Sequence, residues 1–482
     1  MQNKSFVSFV GAGPGDAGLL TVKALERLKE ADVILYDRLV NPILLEHCHP
    51  RAQLVYCGKL PDRHLIRQES INELLVTYAS EGNKVVRLKG GDPGVFGRVG
   101  EEAQALDPYQ IPYEIIPGIT SGIGAPLYAG IPVTYRNVST SFAVVTGHNQ
   151  TGTSTIDWQA LANGVDTLAF YMGVKKLDEI TSNLILYGRS ADQPVKVIQW
   201  GTLGKQRTVT GTLSTIVRKV KEAQISNPAI TLVGDVAGIG EGTSSWFESQ
   251  PLFNTHVLLA RSSHQESIGA EKLRTLGAEV FEYPRWQIKQ NHFPDGINLS
   301  SFQQIQLEAV EDVEWFFDWL FSLKMDIREI RADVVAKTKA GRVALAKRGI
   351  QASQKEWSSD RTSLILGQTE PVEVNLSHQF ICTHQLLPFL QSNQTLLRLY
   401  DEERIEVVVV PNAKSVESLI QGAFELGLTP EEWSTKVRVV CFGQASEAAA
   451  KKAGFSITHT LREPSWDVLT DWLLEQKRSW TT

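Results

Sequence analysis

The amino-acid sequence predicts an α/β protein of several domains, and three observations lead to this class. At 482 residues the chain is well above the roughly 100–200 residues of a single domain, so two to four domains are expected. Hydrophobic residues make up 42% and charged residues 21%, as in ordinary folded proteins. Short, apolar, β-branched runs alternate with amphipathic stretches, which is typical of parallel or mixed sheets covered by helices on both faces.

The N-terminal half contains a first series of such elements. Apolar residues recur at helical spacing within 19–29, which predicts an amphipathic helix. The short apolar runs around it predict buried strands over 6–10, 33–36, 84–88, 142–146, 167–171 and 230–233.

A segment rich in glycine, serine and proline, 240–251, interrupts this pattern, and we expect a linker at 246–255. Beyond it a second series begins with a strand over 257–260 and a helix over 269–276. Later strands are expected over 407–410 and 437–442. The expected boundaries are a first domain of 1–245, with subdomains of about 1–113 and 114–245, and a second domain of 256–482.

The charge balance and the cysteines exclude several classes of protein. With 48 Lys+Arg against 54 Asp+Glu, the net charge of −6 lacks the basic excess of a general nucleic-acid binder. The four cysteines are scattered, so neither a disulfide framework nor a structural zinc site is expected. His47-Cys48-His49 can be read as a metal site, but its spacing suits neither a helix pair nor a known cluster, and we expect no metal.

No targeting or membrane-spanning segment is recognisable in the sequence. The N-terminus lacks the apolar region of a signal peptide, and no apolar run approaches the roughly 20 residues that span a bilayer. We therefore expect a cytoplasmic protein that binds neither nucleic acid nor membrane.

The turn Gly11-Ala-Gly-Pro-Gly-Asp16 follows the first predicted strand and precedes a helix. Its glycines permit positive φ angles and allow a ligand to approach the backbone closely. It is not a dinucleotide fingerprint, because Asp16 stands in the place of the third glycine and Pro14 lacks a backbone donor. No Gly-Lys-Ser/Thr follows, so it is not a P-loop either. A tight strand–helix turn and a ligand-binding loop both remain open.

Two further turns follow strands of the same half. One contains Gly90-Gly91-Asp92-Pro93, in which Asp92 can bind hydroxyls or an ammonium group at the carboxyl end of a strand, where ligands of open α/β sheets bind. An Asp-Pro turn is the alternative. In the segment 116–126, Thr120 and Ser121 can cap a helix or hydrogen-bond a ligand carboxylate.

Two more strand ends complete the series. Met172 follows the strand over 167–171, and a thioether there is more often a core residue than a cofactor contact. The segment 200–207 is another glycine-bearing strand end. Five such turns at strand ends in one unit are stronger evidence of function than any single one.

In this order, the turns resemble the tetrapyrrole methylase family, and most closely its uroporphyrinogen-III C-methyltransferases. The resemblance covers about residues 6 to 239 and is carried by the segments 11–16, 36–40, 58–59, 86–102, 117–121, 145–148, 170–173, 205–207 and 228–229. It implies two α/β subdomains with S-adenosylmethionine bound in the cleft between them, in a homodimer formed through this half. It also implies a tetrapyrrole substrate of siroheme and cobalamin biosynthesis.

The resemblance implies the site residues one position at a time. The proton acceptor falls on Asp37 and the proton donor on Lys59. The alternatives are a strand-end Asp37 that caps a helix or pairs with Arg38, and a Lys59 that lies on the surface or binds a substrate carboxylate. The family's S-adenosylmethionine contacts fall on Pro14, Gly90, Gly91, Asp92, Val95, Thr120, Ser121, Met172 and Gly201.

The implied substrate carries eight carboxylates, so cationic groups should line its cleft. The candidate substrate-binding residues are Arg38, Arg63, His64, Arg67 and Arg98, although each can equally be solvated.

The C-terminal half resembles the uroporphyrinogen-III synthase family in the segments 256–261, 271–284, 439–454 and 463–465. The resemblance implies cyclisation of hydroxymethylbilane between two lobes, one of about 256–285 and 404–482, the other of about 286–403. It places Tyr400 and Ser446 among the substrate contacts. The middle is divergent, since the family's Phe-Thr-Ser-x-Asn-x-Val segment corresponds only roughly to 321–327. An active synthase and a non-catalytic binding module therefore remain alternatives.

Overall fold

The computed structural model describes residues 5–58, 68–147, 156–240, 245–265, 267–352, 361–370 and 378–480. By its internal contacts the chain divides into two compact units. The first comprises Met1–Ala260, Ser267–Pro284 and Leu390–Thr482, and the second comprises Arg261–Glu266 and Arg285–Phe389.

The first unit begins with a parallel sheet, as predicted. The strands and helices of this part are β1 (Phe6–Gly11), α1 (Val22–Glu30), β2 (Val33–Tyr36), β3 (Gln53–Tyr56), α2 (Gln68–Ser80), β4 (Lys84–Lys89), α3 (Val99–Gln104) and β5 (Tyr113–Ile116). The strands pair in the order β3-β2-β4-β1-β5. Apolar clusters cover both faces, so the expectation of a sheet buried on both sides is confirmed.

The helix expected over 19–29 begins later in the structure. Thr21 caps its N-terminus by accepting a hydrogen bond from Ala24 N at 3.2 Å, so the helical residues start at Val22. Leu19 instead ends a short 3₁₀ turn that Asp16 caps. The apolar spacing did not reveal this boundary, because Leu20, before the helix, and Leu28, within it, pack in the same apolar cluster.

A mixed sheet follows in the same unit. Its elements are α4 (Ser121–Tyr128), β6 (Phe142–Thr146), α5 (Trp158–Gly164), β7 (Thr167–Tyr171), α6 (Leu177–Leu186), β8 (Pro194–Gln199), β9 (Arg207–Thr212), α7 (Ile216–Glu222) and β10 (Ala229–Val233). The order is β6-β7-β10-β8-β9, with β6 and β7 parallel and the other pairs antiparallel.

The segment predicted as a linker, 246–255, is packed rather than extended. The ring of Phe247 lies 4.7 Å from that of Tyr128, and Trp246 Nε1 donates to Leu127 O at 2.9 Å. Leu252 is fully buried among the apolar residues of the following sheet. The composition of this stretch suggested a linker, but Phe247 packs against Tyr128 of α4 and Leu252 packs against the sheet that follows.

The C-terminal half opens with β11 (His256–Ala260), α8 (Ile268–Thr275) and β12 (Glu279–Tyr283), and the chain then enters the second unit. That unit contains β13 (Trp286–Gln290), β14 (Gln304–Leu307), α9 (Val310–Ser322), β15 (Asp333–Ala336), α10 (Lys339–Lys347), β16 (Ser363–Gly367), β17 (His378–Cys382) and β18 (His384–Pro388). Its parallel sheet has the order β15-β14-β16-β17, and β13 and β18 form an antiparallel pair.

The segment 321–327, which corresponds only roughly to a synthase segment, begins at the C-terminal end of α9. Helix α9 buries Trp315, Phe316 and Trp319, and Phe321 at its C-terminal end is 86% exposed. The helix turns the preceding apolar residues inward and leaves Phe321 on the surface, and the rough correspondence of 321–327 to the synthase segment stays a prediction.

The chain re-enters the first unit at Leu390. The remaining elements are α11 (Gln391–Asp401), β19 (Val407–Val410), α12 (Ser415–Glu425), α13 (Pro430–Lys436), β20 (Arg438–Cys441), α14 (Gln444–Lys452), β21 (His459–Thr460) and α15 (Trp466–Trp480). With β11 and β12 they form a parallel sheet of order β12-β11-β19-β20-β21, which we call lobe one.

Helix α11 belongs to lobe one, although the sequence suggested the other lobe for residues up to 403. Leu396 and Leu399 are buried beside Val408 and Trp433. The expected boundary at residue 404 was set by the start of the next strand, β19. The amphipathic helix α11 precedes that strand and packs on the lobe one sheet. The return of the chain therefore lies before α11.

The opposite side of α11 contacts the N-terminal part of the unit. Gln391 Nε2 donates to Pro50 O at 2.8 Å, and Ser392 Oγ donates to Glu46 Oε2 at 2.7 Å. Close by, the buried Arg404 donates to Glu279 Oε2 at 3.0 Å and to Asn41 Oδ1 at 3.3 Å. Burial raises the pKa of Glu279, but Arg404 and His256 outweigh it, so that the pKa is lowered. These polar contacts join the N-terminal half to lobe one.

We predict that Leu396→Ala lowers the free energy of unfolding of lobe one by about 2–5 kcal/mol, because it leaves a cavity in a closed core. Leu397→Ala is the matched control, since the neighbouring side chain is 37% exposed and its loss should change stability by less than about 1 kcal/mol. Urea denaturation followed by circular dichroism measures both variants. Equal midpoints for the two variants would contradict the assignment of α11 to this core.

Candidate active site

The carboxyl ends of β1 and β4, and the turn after β5, meet at one edge of the parallel sheet. A Cβ on Gly11 would lie 2.5 Å from Gly118 N, and a Cβ on Gly118 would overlap the carbonyl oxygen of Gly91. Gly13 and Gly91 exchange backbone hydrogen bonds of 3.1 and 2.7 Å. The turns therefore pack backbone against backbone, which only glycine permits at these positions.

A cavity of about 570 Å³ opens beside these turns. Every predicted cofactor-binding residue lines it, namely Pro14, Gly90, Gly91, Asp92, Val95, Thr120, Ser121, Met172 and Gly201. Residues from the parallel sheet β1–β5 and from the mixed sheet β6–β10, with the turns after their strands, contribute to the wall. The structure thus brings together residues that lie far apart in the sequence, and their role as ligand contacts stays a prediction.

Asp92 and Thr120 connect the turns around the cavity. Asp92 Oδ1 accepts from Gly94 N at 2.7 Å, and Oδ2 accepts from Gly118 N at 3.0 Å. The Thr120 hydroxyl lies 2.5 Å from the Tyr171 hydroxyl and makes no side-chain cap to α4. The Asp-Pro turn that the sequence left open is therefore present, and it faces the cavity.

Several non-glycine residues around the cavity have left-handed backbone conformations. The φ angles of Phe96, Met172 and Trp200 are 55°, 55° and 50°. Each costs roughly 1–2 kcal/mol relative to an ordinary conformation, and such strain is concentrated at functional sites. Met172 is 46% exposed, so the alternative of a core methionine is wrong.

Asp37 lines the cavity with a side chain that is 32% exposed. Its partner is Arg87, whose Nη2 donates to Oδ1 at 2.6 Å, and not Arg38 as one alternative proposed. Arg87 comes from the neighbouring strand β4 and is buried. The ion pair fixes the orientation of the carboxylate at the cavity wall.

Arg87 is part of a buried charge cluster at the cavity wall, together with Lys89, which also lines the cavity, and Glu102. Lys89 Nζ donates to Glu102 Oε1 at 2.7 Å, and Arg87 Nε donates to the same atom at 3.3 Å. Burial lowers the pKa of Arg87, but Asp37 and Glu102 outweigh it and the pKa is raised. For Lys89, burial and then Arg87 lower the pKa, and Glu102 compensates only in part.

Sequence reasoning missed this cluster, although a signal was present. Arg87 and Lys89 are two residues apart on a predicted strand and thus share one face of the sheet. Two cations on one face of a buried strand require an anion nearby. Glu102 lies in the next helix, within the segment 86–102 that carried the family resemblance.

The predicted cationic residues divide into two groups. Arg38 and Arg98 line the cavity and are exposed, and Arg98 is paired with Glu101 at 2.5 Å. Lys59, Arg63, His64 and Arg67 lie outside the described residues.

Tyr400 and Ser446 do not line this cavity. The Tyr400 hydroxyl, on α11, accepts from Lys436 Nζ at 2.6 Å. Ser446 is 1% exposed and donates to Gly443 O at 3.0 Å within the first turn of α14. Both side chains thus have partners inside lobe one.

Two further searches cover only the part of the chain that the structure describes. There, no group of three or more His, Cys, Asp or Glu side chains is arranged to hold a metal ion. No described helix is both long enough and apolar enough to cross a membrane.

We predict that Glu102→Gln lowers the free energy of unfolding by about 3–5 kcal/mol, because it removes the anion between two buried cations. The control is Glu101→Gln, whose side chain is 57% exposed and contributes little through its surface pair with Arg98. Denaturant titration of both variants tests the difference. A Glu102→Gln midpoint equal to that of Glu101→Gln would show that the cluster does not support the fold.

Comparisons with known proteins agree with the sequence resemblance. The profile of the family described as "Tetrapyrrole (Corrin/Porphyrin) Methylases" matches residues 7–217. A "Porphyrin biosynthesis protein HemD" of Ruminiclostridium josui is 34% identical over 98% of this chain and 98% of its own length. A crystal structure of uroporphyrin-III C-methyl transferase from Thermus thermophilus, complexed with S-adenyl homocysteine, is 38% identical. It covers 48% of this chain and 99% of its own, with a TM-score of 0.43.

A second relative is also similar over nearly the whole chain. A uroporphyrinogen-III C-methyltransferase of Bacillus subtilis (strain 168) is 46% identical over 455 residues, which cover 93% of this chain and 94% of the relative. This chain therefore belongs to the uroporphyrinogen-III C-methyltransferase family of tetrapyrrole methylases.

Proposed function

We propose that the chain transfers methyl groups from S-adenosylmethionine to carbon atoms of uroporphyrinogen III, giving precorrin-2. The observation that carries the proposal is the cavity, whose lining contains every residue that the family resemblance assigns to the methyl donor. The relatives named as uroporphyrinogen-III C-methyltransferases support the choice of substrate.

The residues of the cavity fit this donor. Its volume of about 570 Å³ lies within the range of about 300–1,000 Å³ that is usual for small-molecule sites. Gly90 and Gly91 expose backbone to the cavity, Thr120 and Ser121 offer hydroxyls, and Met172 offers an apolar contact. When bound, the donor supplies an electrophilic sulfonium methyl group.

The residues of the site must also position the acceptor ring and transfer protons. An electron-rich pyrrole carbon reacts readily once it is held in line with the methyl group. Arg38 and Arg98 at the cavity bind carboxylates of the substrate. Asp37, held by Arg87, accepts the proton that the ring loses after methylation. Lys59 as proton donor stays a prediction from the sequence.

We predict that Asp37→Asn lowers kcat for methylation of uroporphyrinogen III by about 10²-fold or more, because the amide cannot accept the proton. Incorporation of labelled methyl groups into the tetrapyrrole measures the rate. Asp32→Asn is the control, since Asp32 precedes the same strand and lies on the surface. A kcat within threefold of the wild-type value in Asp37→Asn would exclude this role.

We also propose a homodimer formed through the N-terminal half. Large apolar side chains are exposed on and after the edge strand β5, including Ile115, Ile123 and Leu127. Such residues on a protein surface favour association. Cytoplasmic location stays a prediction from the sequence.

A second activity, cyclisation of hydroxymethylbilane to uroporphyrinogen III, is proposed for the C-terminal half. It is supported by the relative named HemD and by a chain path that leaves lobe one after Pro284 and returns at Leu390. The alternative is a synthase-like module without catalysis. If Tyr400 and Ser446 contact the bilane, the substrate replaces their present partners, Lys436 and the carbonyl of Gly443.

We predict that the purified full chain forms the type III isomer of uroporphyrinogen from hydroxymethylbilane in the absence of the methyl donor. Separation of the isomers after oxidation is the measurement, and protein-free buffer, which yields the type I isomer by spontaneous closure, is the control. Type I alone, from a preparation that methylates added uroporphyrinogen III, would leave the C-terminal half as a non-catalytic module.

A further inference from the structure

Arg398, on helix α11 of lobe one, reaches the N-terminal half of the first unit. Its guanidinium carbon lies 5.6 Å from the ring centre of Tyr36 and 5.3 Å from that of Tyr56. The two rings contact each other at 5.4 Å, and the Arg398 side chain is only 13% exposed. A guanidinium this close to two aromatic faces is attracted by both, and more strongly when it is shielded from water.

The same guanidinium also holds the backbone beside the cavity. Arg398 Nη2 donates to Arg38 O at 2.9 Å. Arg38 follows Asp37, the proposed proton acceptor, and both line the cavity. Arg398 itself lies outside the cavity lining. Arg398 therefore contacts the turn that carries Asp37 without itself lining the cavity.

Tyr36 and Tyr56 extend this contact to two strand ends. Tyr36 is the last residue of β2 and directly precedes Asp37, and Tyr56 is the last residue of β3 and precedes the cavity residue Gly58 by two positions. Burial raises the pKa of Tyr36 to about 12 despite the opposing effect of Arg398, so the phenol is neutral at physiological pH. One side chain thus fixes the ends of two parallel strands at the cavity.

Helix α11 is anchored firmly enough to act as this support. Its first turns are tied to residues 42–52 by buried hydrogen bonds from Gln391, Ser392 and Thr395. Glu402 accepts from Arg398 Nη2 at 2.7 Å and orients the guanidinium. These contacts hold helix α11, and with it Arg398, in a fixed position against the N-terminal half.

We propose that Arg398 is a positioning residue of the methyltransferase site, contributed by the C-terminal half. The proposal rests on the proposed methyl transfer and deepens it. Arg398 acts through the Asp37–Arg38 turn and touches neither donor nor acceptor. Methylation then depends on lobe one whether or not the C-terminal half cyclises hydroxymethylbilane.

The test uses the full chain and three variants. Arg398→Met keeps the length and apolar stem but removes the charge and the donors, whereas Arg398→Lys keeps the charge over the rings. Lys451→Met is the control, because Lys451 is a surface cation of lobe one that pairs with Glu447 four residues earlier. For each protein, kcat, the KM for both substrates and the melting temperature are measured.

We expect Arg398→Met to lower kcat about tenfold, because a small displacement of a reacting group lowers the rate steeply. The KM for S-adenosylmethionine should stay within twofold of the wild-type value, since Arg398 lies outside the cavity that contains the residues assigned to the methyl donor. Arg398→Lys should recover part of kcat, because an ammonium attracts the rings but lacks the planar donors of a guanidinium. Lys451→Met should match the wild type.

A purely structural role for Arg398 gives a different pattern. In that case Arg398→Met loses melting temperature and active fraction while the surviving enzyme keeps its kcat per active site, and the proposal fails. It fails equally if Arg398→Met has wild-type kcat. If Arg398→Met does not fold, a wild-type kcat in Arg398→Lys overturns the proposal and a several-fold lower one supports it. A wild-type chain without methylation would contradict the proposed function itself.

Discussion

The close approach of three backbone turns at the carboxyl edge of the first sheet is the constraint on which the site depends. Parallel strands bring their carboxyl ends to one edge, and Gly11, Gly91 and Gly118 let the turns that follow pack without intervening side chains. Asp92 then ties the second turn to the third through Gly118 N. The cavity exists because these turns are held together beside it, and residues of the mixed sheet complete its wall.

Charged residues of two kinds line this cavity. Arg87 and Lys89 are buried in its wall and are compensated by Glu102, since an isolated buried charge would be strongly unfavourable. Arg38 and Arg98 also line the cavity and are exposed. Asp37, a further lining residue, is paired with the buried Arg87. A chain with a net charge of −6 thus still places Arg38, Arg87, Lys89 and Arg98 around one cavity.

Helix α11 packs against both halves of the chain and thereby connects them. One side of the helix buries Leu396 and Leu399 in lobe one, and the other donates hydrogen bonds to the N-terminal half. The helix therefore belongs to two packing environments at once. Lobe one is better described as part of the scaffold of the methyltransferase than as a separate neighbour, whatever chemistry the C-terminal half performs.

The sequence by itself determined the features that depend on neighbouring residues. Short apolar runs identified the strands, and glycine-bearing strand ends pointed to Asp92 and Thr120, because turn chemistry and strand periodicity are local. The complete set of expected cofactor contacts came from the resemblance to the methylase family. Only the tertiary structure decided the partner of Asp37, the packing of 246–255 and the position of α11. Arg398 and Arg38, for example, are 360 residues apart, and no local pattern encodes a contact between them. Such pairings follow from how whole sheets and helices pack, and that packing is fixed by the buried surface of the complete chain.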